Sequence, residues 1–268
     1  MRPVLRLLFS ALIIVSALSS CSPYEKTLKS ADVNYKLTKA NEYYDKHAYV
    51  HANELYKSLL PVMKGTKNYE PLYYRFCYSY FYQKDYLDAA YHFKNFTDFF
   101  PASKDAEECE YMHAYCLYKM APKAELEQAN TVKAMEALQS FINTHPDSKR
   151  LAEANKLIDD SRKKLEDKEA SGAKLYYNIG QYKAAAQAYK LVIDAYPESP
   201  NADYYQYMVV KSLYLYAGKS IETKQEERYA NTVAAYNDLK DSYPKSTFIK
   251  SGEEYAALSQ TSITKIRK

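Results

Sequence analysis

The chain has no tryptophan, only five glycines and four cysteines in 268 residues. So little glycine disfavours a β-protein rich in tight turns, because those turns need residues with positive φ. A formal net charge of +4 provides no concentrated basic face, so nothing supports nucleic-acid binding. We find no glycine-rich phosphate loop, no Cys-x-x-Cys pair and no nucleophile-elbow motif. We therefore predict no catalytic residue, no metal site and no enzyme.

What the chain does have is helix-forming sequence and an excess of tyrosine. Alanine, lysine, glutamate and leucine recur at helical spacing, which predicts an all-α fold. Tyrosine occurs 31 times. A tyrosine buries a large ring and keeps its hydroxyl in water, so many tyrosines suit half-exposed helix seams and binding grooves.

The one long apolar run, Val4–Leu18, follows a basic start at Arg2 and Arg6. It is shorter than the roughly 20 residues of a membrane-spanning helix, so it is typical of a secretory signal. Leu18-Ser19-Ser20-Cys21 then resembles the bacterial lipobox. This resemblance implies that residues 1–20 are removed and that Cys21 carries diacylglycerol and an N-acyl chain, the only non-protein groups we expect. The alternative is a plain signal peptide with an incidental cysteine.

The residues after Cys21 bear on the destination of such a lipoprotein. Ser22 stands where the inner-membrane retention signal of lipoproteins has aspartate, and 22–27 lack the acidic cluster of surface-exported lipoproteins. We expect an outer-membrane, lipid-anchored protein that faces the periplasm. Two or three acyl chains would hold it there firmly, since one chain alone binds only marginally.

A repeated pattern occupies the rest of the chain. Two copies have identical spacing, Tyr86-x2-Ala89-x3-Phe93-x2-Phe96-x4-Pro101 and Tyr182-x2-Ala185-x3-Tyr189-x2-Val192-x4-Pro197. Weaker copies pass through Leu138 and Tyr236, and a degenerate first copy through Tyr56. Copies at intervals of about 40 to 50 residues indicate a repeat array.

Each feature that recurs in these copies has a physical reason. Steps of three and four place the apolar positions on one helix face, and alanine lets two helices approach closely. Proline ends the second helix because it lacks the amide donor. A serine two residues after each proline is placed to cap the next helix. The predicted repeat core is Ala89, Phe93, Pro101, Ala185, Tyr189 and Pro197, and the predicted caps are Ser103, Ser148, Ser199 and Ser246.

This pattern resembles the tetratricopeptide repeat, with Cys77 and Ala173 at its small position and Tyr80 and Tyr176 at its aromatic position. It implies a solenoid of about five tetratricopeptide-like helix pairs. The predicted organisation is a lipoprotein signal peptide over 1–20, a lipidated N-terminal linker over 21–30 and five repeats over 31–268. The repeats are predicted at about 31–66, 70–102, 103–147, 148–198 and 199–268.

The segment from Leu151 to Tyr189 narrows the family. Its basic Leu-Glu-x-Lys-Glu stretch, Ala173, Tyr176-Tyr177 and Gly180-x-Tyr182 resemble the BamD family, the tetratricopeptide lipoproteins of the β-barrel assembly machinery, in a Bacteroidota-like version. The resemblance implies a non-catalytic scaffold. Its implied partners are a BamA-like β-barrel insertase with periplasmic repeat domains, other assembly-machine lipoproteins and unfolded outer-membrane proteins.

Tetratricopeptide repeats present ligand-facing positions on their first helices. Counted from Ala89, these positions include Tyr74, Tyr78 and Phe81, and in the first repeat they include Tyr44. We hypothesise that these aromatics form a groove that docks a client or partner. The alternative is that they pack against the neighbouring repeat.

Two other functions are compatible with the sequence. The chain could be a periplasmic adaptor for cell-wall synthesis or division, or a glycan-binding transporter lipoprotein, although it lacks the tryptophan expected of a sugar site.

Cys77 could pair with Cys109 or Cys116, or all three could be buried thiols; Cys109 and Cys116 are too far apart on one helix to pair. His47 and His51 could share a helix face as a metal pair, but no third ligand is evident, which favours a solvated surface.

Overall fold

The computed structural model describes residues 23–268, and every regular element in that range is an α-helix. The predicted all-α class is confirmed. The twelve helices of this range are α1 (Pro23–Leu28), α2 (Val33–Asp45), α3 (Tyr49–Met63), α4 (Tyr69–Tyr82), α5 (Tyr86–Phe99), α6 (Ala106–Lys119), α7 (Ala129–Thr144), α8 (Leu151–Asn178), α9 (Tyr182–Ala195), α10 (Ala202–Gly218), α11 (Glu222–Ser242) and α12 (Ile249–Ile266).

The helices belong to two compact units. The first comprises residues 23–121 and Ala129–Ile158, and there α2, α3, α4, α5, α6 and α7 pack in sequence. The second comprises Pro122–Gln128 and Asp159–Lys268, and there α9, α10, α11 and α12 pack in sequence, with α12 also on α10. Packing of consecutive antiparallel helices is the pattern of a helical repeat array.

The turn within a helix pair is the same at three places. His47, Lys84 and Gly180 each lie two residues before the second helix and adopt φ of 60°, 63° and 78°. In each turn the next residue donates its amide to a carbonyl five residues back, as Asp85 does to Tyr80 at 3.1 Å. This is a Schellman-type ending, which favours glycine because the left-handed region is costly for other residues. Two of the three turns nevertheless use a non-glycine residue.

The turn between pairs depends on the predicted serines, but not as helix caps. The following helices begin three residues after each serine, at Ala106, Leu151, Ala202 and Ile249. Each serine Oγ instead accepts the amide of the residue two positions later, at 3.0 to 3.1 Å. The serine therefore shapes the turn that leads into the helix.

Three of these serines also bind the end of a helix pair to the first helix of the same pair. Ser103 donates its hydroxyl to Glu70 at 2.6 Å, Ser148 to Glu107 at 2.6 Å and Ser199 to Glu166 at 2.5 Å. In each case the carboxylate lies on the first helix of the pair that the serine ends. The bond closes the pair by a charge-assisted contact, which is stronger than a neutral one.

The repeat pattern correctly predicts most of the core. Ala89, Phe93, Ala185 and Tyr189 are at most 1 % exposed. Pro101 and Pro197 are exposed in the turns after α5 and α9, so their assignment to the core was wrong. Proline acts there through its fixed φ and missing donor, which needs no burial. Cys77, Ala173 and Tyr80 are also buried, whereas Tyr176 is 45 % exposed and does not pack as an aromatic core residue.

The segment predicted as a linker contains helix α1. The ring of Tyr24 on α1 contacts that of His51 in a tilted arrangement at a centroid distance of 4.0 Å and meets Tyr43 edge-on at 5.6 Å. Its hydroxyl donates to Glu54. Thr27 is 2 % exposed. Helix α1 is thus packed on the first helix pair. Cys21 and the predicted signal peptide lie outside the described residues.

Candidate functional site

Tyr74, Tyr78 and Phe81 form a stripe on α4, as predicted from their spacing. The steps of four and three place them on one helix face. Ring centroids are 4.9 Å apart for Tyr74 and Tyr78 and 6.2 Å apart for Tyr78 and Phe81. All three side chains are half-buried. Each ring therefore has one packed side and one side open to solvent.

The packed side of this stripe lies against the second helix of its own pair and against the next pair. Tyr78 meets Phe93 edge-on at 5.0 Å, and Tyr74 meets Phe96 at 5.9 Å. Phe81 approaches Tyr115 of α6 at 6.0 Å. Burial is the main cause that raises the pKa of Tyr78 far above its usual value. The stripe thus has the seam role that was its alternative interpretation, and the open side remains available to a ligand.

Tyr44 reaches the same surface through a residue that the sequence analysis missed. Tyr82 is 45 % exposed, and its ring lies 6.2 Å from Tyr44 and 5.8 Å from Tyr78. It also stacks on Tyr49 at 4.5 Å. Tyr82 follows Tyr78 by four residues, so its place on the stripe was readable from spacing. We call Tyr44, Tyr74, Tyr78, Phe81, Tyr82 and Tyr115 the aromatic seam.

Two arginines border the aromatic seam. Arg75 lies over Tyr44 at 5.1 Å and pairs with Asp45 at 2.9 Å. Arg150 lies over Tyr111 at 4.7 Å. Such cation–π contacts hold a guanidinium flat on a ring and leave its edge for carboxylates. The border of the seam therefore combines aromatic faces with ion pairs, because carboxylates bind both arginines.

The Arg150 contacts connect three helices of the first unit. Its guanidinium binds both carboxylate oxygens of Glu108 on α6, at 2.7 and 3.1 Å, and Glu153 at 2.9 Å. Tyr78 on α4 donates its hydroxyl to the same Glu108 at 3.0 Å. These bonds to Glu108 are the main cause that raises the pKa of Arg150. The network fixes the spacing of the first helices that carry the seam.

The second unit has an aromatic surface of its own. Tyr207 stacks on Phe248 at 5.2 Å and approaches Tyr255 at 6.4 Å, and Tyr255 lies 5.1 Å from Tyr214. Lys211 lies over Tyr177 at 5.3 Å. This cluster accounts for a further part of the tyrosine excess. Its residues lie outside the predicted site, because the sequence analysis counted ligand-facing positions only in the first two repeats.

The cysteines and histidines of the described range do not form a reactive or metal site. Cys77, Cys109 and Cys116 are buried free thiols, and burial raises the pKa of Cys116 to about 12. Thiols held in the protonated form react slowly. Across residues 23–268 no three His, Cys, Asp or Glu side chains come together as a metal-binding group. His47 lies in the turn before α3 and does not share a helix face with His51.

Comparison with known proteins agrees with the lipoprotein interpretation. The model of the YfiO family, described as an outer membrane lipoprotein, matches residues 29–199. A protein of Aquifex aeolicus (strain VF5), provisionally named outer membrane protein assembly factor BamD, is 26 % identical over 224 residues, which are 83 % of this chain and 73 % of the relative. No helix in residues 23–268 combines the length and apolar character needed to cross a bilayer.

Two solved structures are similar at lower levels. The TPR2AB-domain:pHSP90 complex of yeast Sti1 has 12 % identity and a TM-score of 0.42, covering 88 % of this chain and 98 % of that one. The Rap conjugation regulator of plasmid pLS20, in complex with the Phr* peptide, has 13 % identity and a TM-score of 0.34, covering 88 % and 74 %. Neither is close enough to bear on function. The family match spans well over half of the chain and confirms the resemblance found in the sequence: the chain belongs to the YfiO family of outer membrane lipoproteins.

Proposed function

We propose that this protein is a non-catalytic, outer-membrane-anchored lipoprotein scaffold of the β-barrel assembly machinery, needed for the folding and insertion of outer-membrane β-barrel proteins. Family membership and the relative named as an assembly factor support this proposal. In it, Cys21 carries the lipid, and the helix pairs face the periplasm. The partners are a BamA-like insertase, other lipoproteins of the machine and unfolded outer-membrane clients.

The aromatic seam is the observation that carries the proposal. Tyr44, Tyr82 and the α4 stripe present half-open rings along the first helices of consecutive pairs. The terminal segment of an unfolded outer-membrane protein is apolar, aromatic and extended. A row of aromatic rings can bind such a segment by ring contacts.

The seam's contacts decide how it should be tested. Replacing Tyr74, Tyr78 and Phe81 by Ser should weaken photo-crosslinking to an unfolded outer-membrane client. Because Tyr78 packs on Phe93, this triple variant also loses core contacts. A Tyr44→Ser, Tyr82→Ser variant touches only half-buried and exposed rings, and Tyr44→Phe, Tyr82→Phe is its matched control. We expect client crosslinking to fall in the serine variant and to persist in the phenylalanine variant, with helical circular dichroism unchanged in both. Equal crosslinking in wild type, the double serine variant and the double phenylalanine variant would contradict client binding by these rings.

The scaffold role has a separate test. A tagged copy is purified from isolated envelopes in mild detergent, and the copurifying proteins are identified by mass. We expect a stoichiometric barrel protein with several periplasmic repeat domains. Recovery of cell-wall synthases or of a sugar transporter in its place would overturn the proposed function.

A further inference from the structure

The attachment of α1 determines how far the protein body can stand from a lipid anchor. Only Ser22 separates Cys21 from Pro23, so the two Cα atoms are at most about 7 Å apart. Helix α1 begins at Pro23. Whatever the conformation of the preceding residues, a lipid on Cys21 is held within a few ångströms of an ordered helix.

That helix is packed on the body of the first unit. Tyr24 contacts His51 on α3 and Tyr43 on α2 through its ring, and its hydroxyl bonds Glu54 on α3. Burial is the first cause that raises the Tyr24 pKa, followed by the bond to Glu54. Thr27 closes the underside of the helix at 2 % exposure. The tether is therefore a docked helix, and its attachment spans two neighbouring helices.

The surface around Pro23 has the chemistry of a membrane interface. Pro23 lines one shallow pocket together with Tyr35, Lys39, Glu42, Tyr43 and Lys46. Tyr35 is 43 % exposed, and Lys39 lies over its ring at 5.9 Å while it pairs with Glu42 at 2.8 Å. Tyrosine rings with an apolar body and a polar tip concentrate at bilayer interfaces. Lysines extend their ammonium groups toward anionic headgroups.

Resting on the lipidation of Cys21 in the proposed function, we infer that the Pro23–Lys46 surface of the first helix pair lies directly against the phospholipid headgroups. We call Pro23, Tyr35, Lys39, Tyr43 and Lys46 the interfacial patch. The bilayer is its occupant because the anchor would hold Pro23 within about 7 Å of the lipid-bearing Cys21, and Pro23 lines the same pocket as the other residues of the patch. The docked tether would then orient the first pair and, through it, the aromatic seam.

The test uses the full-length lipidated protein in vesicles of phosphatidylethanolamine and phosphatidylglycerol. A fluorophore is attached after Lys46→Cys substitution; the buried thiols of Cys77, Cys109 and Cys116 do not compete for the label. Quenching by lipids with a nitroxide on the headgroup then reports the distance to the bilayer surface. The comparison protein has a Gly/Ser linker of about 12 residues inserted between Ser22 and Pro23, which adds a mean span of roughly 20 Å.

We expect strong quenching with the native tether and at least a roughly two-fold loss with the linker, since the added span exceeds the reach of a contact quencher. Tyr24→Ala should lose quenching in the same way because α1 is released, whereas Tyr24→Phe, which keeps the ring contacts, should retain most of it. Circular dichroism confirms that each variant is folded. Equal quenching in native and linker proteins, with lipid found on Cys21 by mass spectrometry, would overturn the inference and leave the proposed function intact. If mass spectrometry found no lipid on Cys21, both the inference and the lipid anchor in the proposed function would be wrong.

Discussion

Arg150 donates two hydrogen bonds to the carboxylate of Glu108, from Nε to Oε2 at 3.1 Å and from a terminal nitrogen to Oε1 at 2.7 Å. Glu108 also accepts the hydroxyl of Tyr78. A residue of the turn before α8 is thereby joined to α6 and, through α6, to the aromatic stripe on α4. The ion pair thus links the turn that begins one helix pair to the two preceding first helices, α6 and α4, which carry the aromatic seam.

The Arg150–Glu108 ion pair should contribute more to the free energy of unfolding than the Arg150–Glu153 ion pair. Arg150 also pairs with Glu153, but that contact is a single-oxygen contact within three residues of sequence. Double-mutant cycles with Arg150→Gln, Glu108→Gln and Glu153→Gln, measured by urea unfolding, should give a coupling of about 1 kcal/mol for the first pair and a few tenths for the second. A larger coupling energy for Arg150 with Glu153 than with Glu108 would contradict this prediction.

The serine junctions should contribute to stability through their carboxylate partners. Ser148→Ala removes both the turn bond to the Arg150 amide and the bond to Glu107, and should lower the free energy of unfolding by about 1 to 2 kcal/mol. Ser246→Ala is the matched control, since the only side-chain bond that the structure shows for Ser246 is its turn bond. It should therefore cost less. Equal losses in the two variants, compared by thermal unfolding, would show that the carboxylate bond adds nothing.

The repeated turn predicts opposite effects at two equivalent positions. Lys84 adopts φ of 63° and Gly180 adopts φ of 78°. Lys84→Gly relieves the left-handed strain and should raise the free energy of unfolding by up to about 1 kcal/mol, while Gly180→Ala introduces the strain and should lower it by about 1 kcal/mol. Chemical denaturation of both variants checks the signs. The same sign for both would contradict the equivalence of the turns.

Two half-buried histidines, His92 and His113, should make the first unit less stable in acid. Burial lowers the pKa of His92 and of His113 from their usual values. The unfolded chain therefore takes up protons at a higher pH than the folded one. The stability from these groups is complete above the unfolded pKa of about 6.5 and is lost as the pH falls through the folded values.

The pH prediction is tested by unfolding at pH 7.5 and pH 5.5. Wild type should lose stability between these values, and a His92→Gln, His113→Gln variant should lose less, although it starts lower because His92 contacts Tyr73 and His113 contacts Ala90. His47→Asn, at an exposed turn, is the control and should follow wild type. A double variant with the wild-type pH dependence would exclude these histidines.

Much of the candidate site could be predicted because helical spacing is a local property. Steps of three and four residues place Tyr74, Tyr78 and Phe81 on one face whatever the helix packs against. How much of each ring stays open depends on Phe93, Phe96 and Tyr115, which come from other helices. The contribution of Tyr82 was accessible from the same spacing, whereas the approach of Tyr44 needed the packing of α2 on its neighbours.

The sequence by itself determined the helical class, the pairing of helices and the buried alanine and aromatic positions, because each follows from periodicity within a few residues of chain. Only the tertiary structure decided that Pro101 and Pro197 are exposed turn residues and that three of the four junction serines bond a carboxylate 33 to 41 residues earlier. It also decided that the predicted linker is a docked helix. Contacts between residues so far apart depend on how whole helices pack, and no local pattern encodes that packing.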